Sequence, residues 1–147
     1  MKVGKSMDDL QLAKNELQAK DVSCVVCKNG TLISSQEHGI KPIVCWLAQE
    51  ETFFQNACVA DKIIGKAAAL LLVYGGVQRI FATVISEPAV QVLEENKVAY
   101  LFEKRVPYII NRDATDMCPM EKRVLAVSSP KQAYEMFHEL ILNTTNK

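Results

Sequence analysis

DKIIGKAAALLLVYGGVQRIFATVISEPAVQVLEENKVAYLFEK, residues 61–104, decides the fold. Asp61 is a good helix N-cap, and the long apolar run behind it predicts a buried helix over 63–74 that Gly75-Gly76 ends. VQRIFATVIS (77–86) reads as a strand buried on both faces. EPAVQVLEEN (87–96) reads as a helix with Pro88 tolerated in its first turn and Asn96 as its stop. VAYLFEK (98–104) is the next strand. Helices alternating with strands imply a sheet with helical crossovers.

Working outward, residues 7–19 set Leu10, Ala13 and Leu17 at helical spacing among charges, with acids in the first turn. SCVVCKNGTLISSQ (23–36) has two apolar runs around Asn29-Gly30, the favoured pair for a two-residue hairpin turn. IKPIVCWLAQE (40–50) reads as a helix with Pro42 in its first turn. Beyond the central stretch, VPYII (106–110) is extended and CPMEKRVLA (118–126) a short helix. Ser129-Pro130-Lys131-Gln132 forms a capping box that opens a last helix, 129–143. The whole is one domain, 1–147, with an N-terminal helical segment at 1–20: an α/β fold with a mixed sheet that begins in an antiparallel hairpin and carries helices on both faces.

The bulk numbers narrow the classes. With 147 residues and 49% hydrophobic content, the chain can bury a full core. Its 17 basic and 17 acidic residues cancel, so no charge excess points to nucleic acid. The longest apolar run, AAALLLVY (67–74), is too short to span a bilayer. Five cysteines behind the N-terminus MKVGKSMDDL, which has no apolar core region, fit reduced thiols in a cytoplasmic protein.

The stretch 61–121 closely resembles a small prokaryotic domain-of-unknown-function family placed in the cytidine-deaminase-like superfamily; the resemblance spans about Ser23 to Val127. Its most specific parts are Asp61-Lys62, Ser86-Glu87-Pro88, and Asn111-Arg112 leading to Cys118-Pro119-Met120-Glu121. The resemblance implies a cytidine-deaminase-like three-layer α/β/α fold and no settled activity. Zinc deaminases carry His-x-Glu at one helix start and Pro-Cys-x-x-Cys at the next. Here Ala89 and Val92 follow Pro88 where the thiolates belong, so neither zinc nor another cofactor is expected.

The richest segment is NRDATDMCPMEKR (111–123). With Cys118 as the N-cap of the short helix, Pro119 is its first residue and Glu121 its third. The thiol then faces free N–H groups, which favour thiolate. Asp116 as the cap is the alternative. Asp61, Cys118 and Glu121 are the candidate catalytic residues. Lys62, Lys66, Glu87, Asn111 and Arg112 are the candidate ligand-binding residues, the cations at helix starts suiting phosphate or carboxylate. Residues 60–66 imitate a phosphate-binding loop but lack its first Gly, and Ala67 replaces the Ser or Thr that would hold magnesium. Cys24 and Cys27 on one strand point to opposite faces, against a redox or zinc role for Cys24-x-x-Cys27. Cys45 and Cys58 read as core or near-core thiols, His38 as a solvated loop residue and His138 as surface. The expected function is binding of a small anionic metabolite or nucleotide near Asp61 and Cys118. The alternatives are an enzyme using Cys118 as nucleophile or redox thiol, and an assembly protein with no retained site. A homo-oligomer, with the apolar helix at its interface, is a further expectation.

Overall fold

The structure, a computed structural model, describes residues 8–110 and 116–145. Its elements run α1 (Asp9–Ala19), β1 (Cys24–Lys28), β2 (Thr31–Ser35), α2 (Lys41–Gln49), β3 (Cys58–Ile64), α3 (Lys66–Tyr74), β4 (Arg79–Ser86), α4 (Glu87–Glu95), β5 (Ala99–Val106), α5 (Pro119–Arg123) and α6 (Pro130–Thr145). The five strands form one sheet in the order β2-β1-β3-β4-β5. β1 is antiparallel to both neighbours, whereas β3, β4 and β5 are parallel.

Local chemistry sets many of these boundaries. Asn29 (φ 53°) and Gly30 (φ 81°) both take left-handed conformations, as a two-residue hairpin turn requires. Asp8 caps α1 by accepting from the Gln11 N–H at 2.9 Å. Ser86 caps α4 by accepting from the Ala89 N–H at 3.2 Å, and Ser129 accepts from the Gln132 N–H at 3.2 Å at the head of α6. Gly76 (φ 82°) follows the end of α3.

The core is divided by the sheet. Among the described elements, α1 covers one face, packing Leu10, Ala13 and Leu17 on Val25, Cys27, Cys58, Ala60 and Phe81. The other face carries the larger core, to which α2, α3, α4 and α6 contribute Ile43, Leu47, Leu70, Leu71, Leu93 and Phe137. Tyr74 and Tyr134 stack at 4.6 Å where α3 meets α6.

One expectation is corrected. Asp61 is not a helix cap: it lies inside β3, and α3 begins five residues later with Gly65 as its N-cap. The strand CVADKII went unread because Asp61 and Lys62 interrupt it like a loop. Its first half is buried on both faces, and only Lys62 and Ile63 emerge to solvent. The short helix is also trimmed, with Val124 as its C-cap.

Candidate functional site

Antiparallel pairing of β1 and β3 places Cys24 directly opposite Asp61. Asp61 is a buried carboxyl at the midpoint of β3, paired with Ala82 in the middle of β4. Its Oδ1 accepts the Ile63 N–H at 3.1 Å. Burial pushes its pKa up to about 7; the Ile63 N–H, the Cys24 thiol and the Lys62 N–H hold it back from going higher. Burial likewise pushes the Cys24 thiol well up, and the Asp61 charge adds to this. Neighbouring strand residues point to opposite faces, so Lys62 is exposed while Asp61 is covered. The two residues that the sequence set side by side therefore do not share a pocket.

A second buried carboxyl meets the start of α3. Gly65 has no side chain to cap the helix; Glu121 of α5 does so instead, accepting the Lys66 N–H at 2.6 Å and the Ala67 N–H at 3.0 Å. The Lys66 ammonium reciprocates by donating to the Leu125 carbonyl at 3.2 Å, just past the end of α5. Each helix thus supplies the missing partner of the other. Glu121 has its pKa raised by burial, opposed by the Ala67 and Lys66 N–H groups and by the Lys66 charge. At the helix start where a bound anion was expected beside Lys66, the protein's own Glu121 carboxylate takes the free N–H groups. Asp61 lies four residues before Gly65, about 14 Å of extended chain at most.

Cys118 is the N-cap of α5 with Pro119 following, as expected, but its side chain accepts no capping hydrogen bond. Glu121 does not fold back onto the Cys118 N–H, because that N–H donates to the Ile109 carbonyl at 2.8 Å. The Glu121 and Lys122 N–H groups are spent on the Cys118 carbonyl. Asp116 pairs with Lys122 and accepts the Met117 N–H at 2.7 Å. Glu87 is exposed and held by a two-pronged ion pair with Arg105 of β5, at 2.6 and 2.7 Å. Asn111 and Arg112 lie outside the described residues. His38 is exposed; His138 packs its ring on Tyr134 at 5.3 Å.

Burial ranks the thiols. Cys118 and Cys45 are partly exposed, whereas Cys24, Cys27 and Cys58 are buried. In native protein at neutral pH, iodoacetamide read by peptide mass spectrometry is expected to modify Cys118 and Cys45 well before the other three, which react only when the element covering them opens. Early labelling of Cys24 would contradict the buried Cys24–Asp61 pair.

Sequence reasoning missed Cys24 as the partner of Asp61, Gly65 as the cleft for Glu121, and Arg105 as the clamp on Glu87. Only Gly65 left a trace, as a glycine beside a buried apolar run; the other two are cross-strand and strand-to-helix pairings.

Sheet order and single-sided crossover helices define a one-sheet α/β domain, in which Asp61 of β3 and Glu121 of α5 are buried carboxyls with separate partners. Among the described residues, no group of three His, Cys, Asp or Glu side chains is placed to hold a metal. Also among them, no helix is long and apolar enough to cross a membrane. The chain belongs to the TM1506 family, a domain of unknown function (DUF1893), whose model matches residues 12–141. It is similar to the crystal structure of a DUF1893 family protein (TM1506) from Thermotoga maritima, at 28% identity and a TM-score of 0.82 over 91% of this chain and 90% of that one. No curated protein matches.

Proposed function

We propose that this chain binds a small polar metabolite, with nucleotides and nucleosides in the candidate class, beside Asp61 of β3 on a deaminase-like frame without zinc. The sheet order, with an antiparallel hairpin leading into parallel β3–β5, is compatible with that frame. The described residues do not fit a zinc ion. The first turns of α2, α3 and α4 contain no cysteine, and Ala89 and Val92, at the positions compared with zinc-binding thiolates, are buried in the apolar core.

The observation that carries the reading is Asp61. A buried carboxyl whose pKa sits near neutral, faced by a thiol and backbone N–H groups, is a group tuned for exchange of a proton or a hydrogen bond. Protonated, it donates to a carbonyl or ring nitrogen; ionised, it accepts from an amino group. An anionic tail on the ligand would have to displace Glu121 to reach the head of α3, which already holds a carboxylate.

The test is a melting-temperature panel of nucleosides, nucleotides and sugar phosphates run on the parent chain and Asp61→Asn. A true ligand at a hundredfold over its Kd should stabilise the parent by about 2.7 kcal/mol. Asp61→Asn should lose most of that gain. A panel without any shift, or a shift equal in both proteins, overturns the role of Asp61.

A further inference from the structure

Cys27 and Cys58 face each other across the β1–β3 ladder, and we infer that they are an oxidisable dithiol, a site where a peroxide converts two thiols into a cross-strand disulfide. The register makes them direct partners. Both belong to the face under α1 and both are fully buried there.

The ladder sets their spacing. The two-residue turn makes Lys28 and Thr31 a hydrogen-bonded pair, so Lys28, Val26 and Cys24 turn their backbone groups toward β2. Cys27, Val25 and Ser23 therefore turn theirs toward β3. The Lys62 N–H donating to the Ser23 carbonyl at 3.1 Å agrees. Cys27 and Cys58 are thus a hydrogen-bonded pair, with Cα atoms about 5.5 Å apart. That lies within the roughly 4.4–6.8 Å that disulfides span. The Cβ atoms of such a pair sit wider than a relaxed disulfide prefers, so the strands must be drawn together. The resulting bond is easily reduced, which suits a reversible modification better than a permanent staple.

The two thiols have different neighbours. Cys27 lies by the Asp9 carboxylate, which also accepts the Asn29 and Gly30 N–H groups at 3.0 and 3.2 Å. Cys58 lies by the Arg79 guanidinium, with the Gln78 amide oxygen 3.7 Å from its sulfur. Burial raises both pKa values, that of Cys27 to about 11, and Arg79 pulls Cys58 back toward thiolate. Cys58 is therefore the attacking sulfur. Its thiolate takes one peroxide oxygen, the O–O bond breaks, and hydroxide leaves to become water, giving a sulfenic acid. Cys27 then passes its proton to Asp9 and attacks the Cys58 sulfur. The S–O bond breaks, and the departing hydroxide takes up a proton as a second water. Two thiols and one peroxide become one disulfide and two waters. Access requires α1 to lift, and α1 is held at its head by the exposed Asp8–Arg79 ion pair at 3.0 Å.

The experiment treats folded protein with hydrogen peroxide, blocks free thiols with iodoacetamide and maps peptides without reduction. A Cys27–Cys58 link reversed by dithiothreitol is expected, with Cys24 on the opposite face still reduced. Asp8→Asn should form the link several-fold faster by freeing the head of α1. Oxidation of Cys45 and Cys118 without any Cys27–Cys58 link overturns the proposal. So does a link joining Cys27 or Cys58 to Cys24, since only an unfolded chain brings those together.

Discussion

Between about pH 4 and pH 8, Asp61→Asn is expected to gain about 4 kcal/mol of stability relative to the parent chain. The ordinary carboxyl value for Asp61 is 3.8, and burial raises it to about 7 in the folded protein. Across that interval the folded state keeps a proton that the unfolded state has released. Stability therefore falls as pH rises, by about 1.4 kcal/mol for each unit of separation. The loss starts near the unfolded value and is complete once the folded group has ionised. Asn cannot ionise, yet its oxygen can still accept the Ile63 N–H and its amide can face the Cys24 sulfur. Every other carboxyl titrates in both proteins and cancels in the difference, as does any fixed packing change made by the substitution. In a chain of this size the effect corresponds to roughly 10 °C in relative Tm. Urea titrations of both proteins at several pH values measure it. Parallel pH profiles for parent and variant would mean that Asp61 is ionised in the folded state at all these pH values, and the proton-exchange role proposed for it would fall with that result.

The parts of the fold written in local chemistry were legible. Leu10, Ala13 and Leu17 have the spacing of a buried helical stripe, and they are the buried residues of α1. Asn29-Gly30 demanded a tight hairpin and makes one. Pro88 and Asn96 marked the ends of α4, and Ser129 the head of α6. β3 was not legible, since a charged pair inside a short strand reads as a boundary. A buried Asp breaks the rule that pattern reading depends on, namely that charge marks the surface. Asp61 and Glu121 were thus singled out by residue type but assigned the wrong partners. Glu121 stood at the third position of its own helix, the place from which a capping box reaches back. The Ile109 carbonyl takes that N–H, and the carboxylate instead spans 55 residues of sequence to Lys66. Spacing along the chain carries no information about such a contact, which depends on how α5 lands on α3.

That landing makes the sharpest structural prediction: Gly65→Ala should behave as if it removed Glu121. A Cβ built at Gly65 lies 2.5 Å from the Glu121 carboxyl carbon and 2.5 and 2.7 Å from its two oxygens. Gly65 has no positive φ that would demand glycine, so the space is what excludes a side chain. The carboxylate cannot shift by a few tenths of an ångström and keep both hydrogen bonds to the head of α3; it has to leave. Leaving strands the Lys66 and Ala67 N–H groups, and each buried, unpaired donor costs about 1–3 kcal/mol. Glu121→Ala strands the same two donors and adds a small void. Each single variant is therefore expected to lose about 3 kcal/mol, and the double variant little more than either one, because the interaction can be lost only once. Gly75→Ala is the control. Its Cβ would meet Leu47 and Phe54 at 3.0 Å and does not touch Glu121, so its cost should add to that of Glu121→Ala. The measurement is a pair of double-mutant cycles in urea. Additive costs for Gly65→Ala and Glu121→Ala would show that the carboxylate does not fill the space beside Gly65, and the mutual capping of α3 and α5 would not stand.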